Sequence, residues 1–278
     1  PLPEQRKIAS VLTTVDEAIQ KTEAVIEQAK RVKRGLIQDL FTLGIEKSRG
    51  VKDTYFGPVS TEIPEDWEKT RIKDLFDEYQ LGTTERGASE EAEQIPLMKM
   101  GNLGFGTWDF TKVEMINRSQ ELVEKYRLQR GDLLFNTRNT PQLVGKTAVW
   151  DRDETAIYDN NLLRLRFGED IASGHFINYF FSSSIGRRQL RARVHGTTSV
   201  AAIYWSDLKQ VEIPVPATEE QHVIVDRLRS IDKQIDAANG NRDQLKRLKR
   251  GLMQDLLTGR IRTADKDIAV LDKVTAHG

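Results

Sequence analysis

The sequence contains no cysteine among its 278 residues. Disulfides, thiolate metal sites, iron–sulfur clusters and cysteine nucleophiles are therefore excluded, and the composition fits a reducing compartment. Only four histidines are present, at positions 175, 195, 222 and 277, and no two of them have ligand spacing on one helix. We therefore predict neither a zinc enzyme nor any other metal site.

Long apolar segments are also missing. The chain has no apolar run of 18 residues and does not begin with a basic segment followed by an apolar one, so neither a membrane span nor a secretory signal is predicted. A mean hydropathy of -0.52 and 30% charged residues are typical of a water-soluble globular protein. We expect a cytoplasmic protein without a membrane partner.

Motifs of catalysis are absent from the sequence. It has no GxxxxGK[ST] or GxGxxG phosphate loop, no Gly-x-Ser-x-Gly elbow, no acidic two-metal cluster and no Asn/Asp-Pro-Pro-Tyr/Phe tetrapeptide of amino-methyltransferases. The glycine-rich segment 101–106 lacks the lysine and the helix that a phosphate loop needs, so we interpret it as a turn. A nuclease or methyltransferase acting alone is the least favoured hypothesis, and no catalytic residue is predicted.

Net charge is zero, with 42 basic and 42 acidic side chains. A chain of this balance does not attract polyanions through its total field, so any anion site must be local. The clearest basic run comprises Arg187, Arg188, Arg191 and Arg193, and no acidic residue lies between Asp170 and Asp207.

The two ends of the chain repeat each other. Residues 4–45 align without a gap with residues 220–261, at an offset of 216 and with 18 identities in 42 positions. Each copy follows a Pro-x-Pro, begins Glu-Gln, and includes KRGLIQDLFT or KRGLMQDLLT. Two amphipathic helices covering one core remain an alternative, but gapless identity favours equivalent use of both copies by a partner.

Apolar residues in both copies alternate at spacings of three and four, which predicts long helices with a coiled-coil seam. A helix of about 40 residues spans about 60 Å, the length of a spacer. Gly35 and Gly251 occupy equivalent positions, and we interpret them as close-packing sites. The seam residues predicted to contact a partner or a second copy are Ile8, Leu12, Val15, Ile19, Leu36, Leu40, Ile224, Leu228, Ile231, Ile235, Leu252 and Leu256.

Between the repeats, short mixed elements predict one α+β domain with a mixed β-sheet. Apolar strand-like runs occur at 95–100, 132–136, 146–150 and 162–167, and a helical pattern covers 174–194. We place the domain at 58–213, between a helix at 1–45 with a linker at 46–57 and a second helix at 214–261. A C-terminal tail follows at 262–278.

Two polar segments of this domain carry residue types that read nucleic acid. Arginine pairs with guanine edges, asparagine and glutamine pair with adenine, and hydroxyl groups contact phosphates or bases. A solvated loop and a basic helical face are the respective alternatives. The predicted DNA-binding residues are Asn136, Arg138, Asn139, Thr140, Gln142 and Lys146 in the first segment, and Arg187, Arg188, Arg191, Arg193, His195, Thr197 and Thr198 in the second.

These features resemble the specificity (S) subunits of type I restriction-modification systems over nearly the whole chain. The segments PLPEQRKIA, PxPxxxEQ and KRGLxQDLLTG look like the conserved helical regions of that family. IPEDW at 63–67, GDLLFNTR at 131–138, VGKTAV at 144–149 and the stretch 196–216 look like its target-recognition domain. The helical signals are specific, whereas the others are individually weak.

The resemblance implies a non-catalytic subunit in which the target-recognition domain reads one half of a split DNA site. It also implies that the two helices form an antiparallel coiled coil that sets the spacing and binds methyltransferase (M) subunits. S-adenosylmethionine, ATP and Mg²⁺ are expected only in partner subunits, and restriction (R) subunits are further partners. No cofactor is expected in this chain.

A full-length family member carries two target-recognition domains, whereas this chain has one. It resembles a half-sized subunit or the C-terminal half of a longer one, and a half-sized subunit is expected to form a homodimer. Two domains on a rigid spacer should contact half-sites about 34 Å apart. The alternative from another class is a protein-interaction or anti-restriction scaffold whose coiled coil binds partners without DNA readout.

Overall fold

Two long helices are the first and the last element of the described structure, as predicted. The computed structural model describes residues 2–85, 93–168, 173–197 and 199–258. Helix α1 covers Leu2–Thr42 and helix α6 covers Thr218–Leu257. Among the described helices, none combines the length and apolarity needed to cross a membrane.

The described residues divide into two units. The helical unit contains residues 2–35 and 228–258, and the globular unit contains residues 36–227. The remaining elements all lie in the globular unit. Its helices are α2 (Gln120–Tyr126), α3 (Gly174–Ser182), α4 (Ser184–Arg191) and α5 (Trp205–Leu208), with single 3₁₀ turns at Ile72–Asp74 and Met100–Asn102.

The helical unit is an antiparallel pair. Lys249 of α6 donates to both carboxylate oxygens of Asp16 in α1, at 2.5 and 2.7 Å. Lys246 pairs with Glu23 at 2.8 Å, and Lys33 pairs with Asp232 at 2.5 Å. Low residue numbers of α1 therefore meet high residue numbers of α6, which confirms the antiparallel arrangement.

The predicted seam residues are all withdrawn from solvent to some extent. The fully buried ones are Val15, Ile19, Leu40, Ile224, Leu228, Ile235 and Leu256, and the half-buried ones are Ile8, Leu12, Leu36, Ile231 and Leu252. The close-packing interpretation of Gly35 and Gly251 is wrong, because a Cβ atom added at either position would meet nothing within 4 Å.

Five small sheets form the β-structure of the described globular unit. Their strand orders are β1-β2, β10-β5-β6, β4-β11-β7-β9, β12-β13-β8 and β14-β3. The strands are β1 (Val51–Phe56), β2 (Val59–Pro64), β3 (Glu68–Arg71), β4 (Glu78–Leu81), β5 (Glu93–Met98), β6 (Glu114–Arg118), β7 (Leu133–Asn136), β8 (Arg138–Asn139), β9 (Thr147–Val149), β10 (Ile157–Tyr158), β11 (Leu162–Arg166), β12 (His195–Gly196), β13 (Ala201–Ala202) and β14 (Glu212–Val215).

The pairing is mixed, as predicted, because β10 runs parallel to β5 while the other ladders are antiparallel. The α+β class is confirmed, but the β-structure is divided among small sheets. Residues 51–56, which we had assigned to a linker, form strand β1 in a hairpin with β2.

The core of the globular unit lies between helix α3 and the four-stranded sheet β4-β11-β7-β9. Strands β7 and β9 are buried at every position, as is β11 apart from its last residue. Such near-continuous apolar strands are covered on both faces. Phe41 near the end of α1 is fully buried against Phe176 and Phe180 of α3, with ring centroids 5.0 and 5.6 Å apart.

The helical pattern at 174–194 is interrupted at Ser183. The Ser183 hydroxyl accepts a hydrogen bond from the backbone N–H of Gly186 at 3.1 Å, so Ser183 caps α4 instead of continuing α3. Gly186 approaches the backbone of Phe180 so closely that an added Cβ would lie 2.2 Å from its carbonyl oxygen. The arginines of α4 are therefore carried by a separate, closely packed helix.

Candidate nucleic-acid interface

A three-stranded sheet brings the two predicted DNA-binding segments together. Strand β13 lies between β8 and β12, and Ala202 pairs with Arg138 on one side and with His195 on the other. The next register position joins Asn139, Ala201 and Gly196 in the same way. Side chains from distant parts of the sequence thus align across one small sheet.

The loop after β8 meets the end of α4. Thr140 begins this loop, and its carbonyl accepts hydrogen bonds from the N–H groups of Leu143 and Val144 at 3.0 and 2.9 Å. A depression of about 440 Å³ is lined by Pro141, Gln142, Arg191 and Val194. The tertiary structure therefore places predicted residues of the loop and of the arginine run beside each other. We call the surface formed by the sheet β8-β13-β12, this loop and α4 the candidate DNA-binding face.

Solvent exposure divides the predicted residues into two groups. The exposed residues are Arg138, Gln142, Arg188, Arg191, His195 and Thr197. The half-buried residues are Asn139, Thr140, Lys146, Arg187 and Arg193, whereas Asn136 is fully buried. Thr198 lies outside the described residues.

Asn136 lies beneath this surface. Its side-chain amide donates to the carbonyl oxygens of Arg138 at 2.9 Å and Asn161 at 3.3 Å, and its carbonyl oxygen accepts from Asn139 Nδ2 at 2.9 Å. The Asn139 side-chain oxygen in turn accepts from the Thr140 N–H at 2.9 Å. In this conformation the Asn136 amide shapes the bend between β7 and β8 and presents no edge to a ligand, which argues against its predicted role as a direct contact.

The Arg193 side chain also makes its hydrogen bonds within the protein. Its two Nη atoms donate to the carbonyl oxygens of Gln189 at 2.9 Å and Gln210 at 3.2 Å. Burial lowers the pKa of its guanidinium, and Glu212 and Asp207 oppose that effect. The side chain closes the end of α4, so it is a structural support of the face.

Lys146 is half-buried at the far end of the loop. Burial lowers the pKa of its ammonium group, and the charge of Asp109 opposes the shift. Its ammonium is therefore less free to reach a ligand than the exposed arginines are.

The hairpin of β12 and β13 carries the remaining predicted residues. His195 Nε2 lies 3.3 Å from Asp207 Oδ2, so this imidazole already has an acidic neighbour. The Thr197 N–H donates to the Val200 carbonyl at 2.8 Å, and the Val200 N–H donates to Thr197 Oγ1 at 3.3 Å. These bonds hold Thr197 and Val200 together.

Among the described residues, three arginines on this face have no acidic partner. Arg138, Arg188 and Arg191 form no ion pair with any described acidic residue. By contrast, Arg164 and Arg166 lie within hydrogen-bond distance of Glu78. The exposed arginines are thus available to an anionic ligand, with hydrogen-bonding side chains beside them.

Aromatic residues beside this face were missed by the sequence analysis. The rings of Tyr79 and Trp205 stack at 4.4 Å, and with Tyr204 and Arg138 they help to line a mostly apolar groove of about 420 Å³. Phe105, in the segment interpreted as a turn, lies with its ring centroid 3.9 Å from the guanidinium carbon of Arg187. The adjacent aromatic residues at 204–205 were the available signal, but residue type alone does not distinguish core from groove.

Within the part of the chain that the structure describes, no three histidine or acidic side chains gather in an arrangement able to hold a metal ion. The exposed predicted residues supply guanidinium groups, an amide and a hydroxyl. Such groups bind phosphates and base edges through directed hydrogen bonds.

Comparison with known proteins identifies close similarity to one family. Residues 64–247 match the sequence profile of the "Type I restriction modification DNA specificity domain". The MjaVIII specificity subunit of a type I restriction enzyme from Methanocaldococcus jannaschii is 31% identical over 270 residues, which are 94% of this chain and 61% of that protein. The chain spans about half to three fifths of the curated relatives that it matches over most of its own length.

Solved structures show the same fold. The HsdS subunit from Thermoanaerobacter tengcongensis is 20% identical, with a TM-score of 0.53 over 94% of this chain and 60% of that one. The S subunit of a type I restriction-modification system from M. genitalium is 11% identical, with a TM-score of 0.59 over 91% of this chain and 60% of that one. At these identities the likeness concerns the fold alone.

Proposed function

Because the chain belongs to the family of type I restriction-modification DNA specificity domains, we propose that it is a DNA-reading specificity subunit without catalytic activity of its own. The observation that carries the proposal is the face on which Arg138, Arg188 and Arg191 lack acidic partners among the described residues. Sequence-independent contacts to phosphates would anchor the duplex there, and neighbouring side chains would read base edges.

The proposal assigns a distinct role to each exposed group. Arg138, which lies opposite Ala202 on the small sheet, and Gln142 in the loop have the chemistry to read guanine and adenine edges. Arg188 and Arg191 on α4 would contact phosphates. His195 and Thr197 lie along the hairpin edge as further polar contacts, while Asn136 and Arg193 support the face from within.

At the level of assembly, we propose that the globular unit reads one half of a split site. The helical unit would fix the spacing and bind methyltransferase subunits, which would supply S-adenosylmethionine chemistry, while restriction subunits would supply the steps that need ATP and Mg²⁺. A homodimer would read both halves of an inverted repeat. The absence of cysteine and the DNA partner both fit the cytoplasm.

The test compares two double variants that lose the same charge. Arg188→Ala/Arg191→Ala removes two unpaired arginines, whereas Arg130→Ala/Arg152→Ala removes two exposed arginines that pair with Asp153 and Glu154. Fluorescence anisotropy with labelled random-sequence duplexes, for the chain alone and with its methyltransferase subunit, gives the dissociation constants.

We expect the first variant to weaken binding by about 10-fold or more and to reduce the salt dependence, because each lost phosphate contact lowers the slope by about 0.9. The paired-arginine control should change little. Equal losses in the two variants would contradict the proposed face. Binding of the methyltransferase with no DNA affinity in any form would instead support the interaction-scaffold hypothesis.

Sequence preference gives a second readout. Selection of bound duplexes from a random pool should enrich one motif with the wild-type complex, and Arg138→Ala should relax the preference at one position. A random pool that is never enriched, although it binds, would contradict base readout by this chain.

A further inference from the structure

Arg187 of α4 holds its guanidinium partly inside the protein, with no acidic partner among the described residues. Within the same part of the chain, its buried Nη1 atom has no hydrogen-bond partner. Burial lowers the pKa of this group, and the neighbouring charge of Arg191 lowers it further. Withdrawing a cation from water in this way is unfavourable unless an anion completes its interactions.

The ring of Phe105 fixes where this guanidinium lies. The guanidinium carbon is 3.9 Å from the ring centroid, the distance of a cation–π contact. Phe105 itself is exposed, with 41% of its surface accessible to solvent. The ring therefore supports the guanidinium at the protein surface instead of enclosing it in the core.

The loop that carries Phe105 is held on a rigid framework. The Gly106 N–H donates to the Thr147 carbonyl at 2.8 Å, and Asn178 Nδ2 donates to the Gly106 carbonyl at 3.3 Å. Thr147 Oγ1 donates to Asn178 Oδ1 at 2.8 Å, which joins the two partners of the loop. Gly106 has a φ of +84°, a conformation that residues other than glycine rarely adopt, so this turn requires glycine.

Helix α4 is equally well fixed. Gln189 is fully buried, and its side chain donates to the Glu212 carbonyl at 2.7 Å and accepts from the Glu212 N–H at 3.1 Å. The Ser183 cap holds the other end of the helix. Both halves of the Arg187–Phe105 pair thus stand on ordered elements, as a preorganised binding group requires.

We propose that Arg187 binds a phosphate of the DNA backbone and that Phe105 is the positioning residue that orients its guanidinium for this contact. The inference rests on the proposed function, because it takes DNA to be the ligand of this face. A guanidinium presents a planar fork of donors that matches phosphate oxygens.

A phosphate fits this site better than a base edge does. The Arg187 side chain lies on an aromatic ring and is half-buried, so it reaches less far from the surface than the exposed Arg138, to which a base contact is assigned above. Arg188 and Arg191 of the same helix, to which phosphate contacts are also assigned, are exposed. A cation that is held in place close to the protein surface is suited to fixing the position of the DNA backbone on the protein.

The chain offers a matched control. Arg152 lies over the ring of Phe110 with its guanidinium carbon 3.8 Å from the ring centroid, and it is paired with Glu154 at 3.1 Å. Its guanidinium lies at nearly the same distance from a ring as that of Arg187, but it already has an acidic partner. Arg152→Ala therefore tests whether the loss of any arginine that stacks on an aromatic ring weakens DNA binding.

The experiment measures the affinity of the full chain for a labelled random-sequence duplex of about 30 base pairs between about 50 and 200 mM salt. We expect Arg187→Ala to weaken binding and to lower the slope of log K against log salt by about 0.9, as for one lost phosphate. Arg187→Lys should retain the slope at reduced affinity. Phe105→Ala should weaken binding with the slope retained, and Phe105→Trp should restore the affinity.

Each contrary result has a definite meaning. If the wild-type chain binds DNA and Arg187→Ala has the same slope, the phosphate contact is overturned while the proposed function stands. If the wild-type chain binds no duplex at any salt concentration, with or without its methyltransferase, both proposals are overturned. A fall in slope for Arg152→Ala equal to that of Arg187→Ala would also overturn the assignment.

Two further measurements, of thermal unfolding and of association with the methyltransferase, separate loss of DNA contact from other causes of weak binding. Thermal unfolding of every variant identifies those that fail to fold, and Arg187→Gln then replaces Arg187→Ala because it retains most of the side-chain volume. If Arg187 variants weaken association with the methyltransferase and leave DNA binding unchanged, the anion is a carboxylate of that protein, and the phosphate proposal is overturned.

Discussion

At the scale of single residues, side chains of the same type have different roles on this face. Arg191 is exposed and has no acidic partner among the described residues, whereas Arg193, two positions later, donates both Nη atoms to backbone carbonyls. The sequence presents both as members of one basic run. Their roles diverge because the end of α4 turns one side chain outward and the other toward Gln210.

Glu220 shows how one buried carboxylate can join three segments of the globular unit. Its Oε2 accepts from Arg49 Nη1 at 2.8 Å and from Trp67 Nε1 at 3.2 Å, and its Oε1 accepts from the Ile45 N–H at 3.1 Å. Each of these donors would lose a partner if the carboxylate were removed. Hydrogen bonds to a charged, buried acceptor are among the stronger ones in proteins.

We predict that Glu220→Ala lowers the free energy of unfolding of the globular unit by about 2 to 3 kcal/mol, because it leaves buried donors unsatisfied. Urea unfolding followed by tryptophan fluorescence measures the effect. Glu219→Ala is the control, since this neighbouring glutamate in the first turn of α6 is exposed. Equal stabilities of the two variants would show that the Glu220 contacts contribute no net stability.

At the scale of elements, the repeat predicted two helices but not how residues of one would meet residues of the other. The seam pattern is compatible with either direction of pairing, and the antiparallel direction was implied only by the family resemblance. The structure decides it through pairs between α1 and α6, such as Asp16 with Lys249. The small sheet of β8, β13 and β12 likewise arises from pairing between segments that are distant in sequence.

We predict that Asp16→Lys lowers the melting temperature of the helical unit, because it places two ammonium groups together. The double exchange Asp16→Lys/Lys249→Asp should recover most of the loss, with a coupling energy of about 0.5 kcal/mol, which is usual for a partly exposed pair. Circular dichroism melts of the four proteins in the cycle measure it.

The control for this cycle lies within one helix. Glu27 and Lys30 of α1 pair at 2.8 Å. Exchanging them retains a local pair whichever way the long helices associate, so that cycle does not report on direction. A coupling of zero between positions 16 and 249 would contradict the antiparallel register.

At the scale of the whole molecule, the described residues form one globular unit and one helical unit, the latter from the two copies of the repeat. It matches about 60% of the length of the two solved subunits compared above. If each chain reads one half-site, two copies are needed to read a split site, and a twofold dimer would recognise an inverted repeat.

We predict that light scattering will give a mass near twice the 31.7 kDa of one chain, and that mixing with the methyltransferase subunit will give a complex with two chains of each kind. Bound DNA should stabilise that complex, because a ligand that prefers one assembly shifts the equilibrium toward it. A persistent monomer that binds one methyltransferase would contradict the dimer and leave a reader of one half-site.

The sequence by itself determined the long helices, the α+β class and the location of the arginine run, whereas the predicted seam residues remain a prediction. These features depend on local periodicity, and a gapless repeat of amphipathic spacing has few structural alternatives. The largely apolar runs of β7, β9 and β11 were equally readable, because strands buried on both faces are rich in apolar residues.

Only the tertiary structure decided which polar residues face outward and which serve the interior. Exposure of Arg138, burial of Asn136 and the contact of Phe105 with Arg187 all depend on pairing between segments far apart in the chain. Residue type sets what a side chain can bind, but its accessibility is set by long-range packing. The two long helices could therefore be predicted from sequence, whereas the candidate DNA-binding face required the fold.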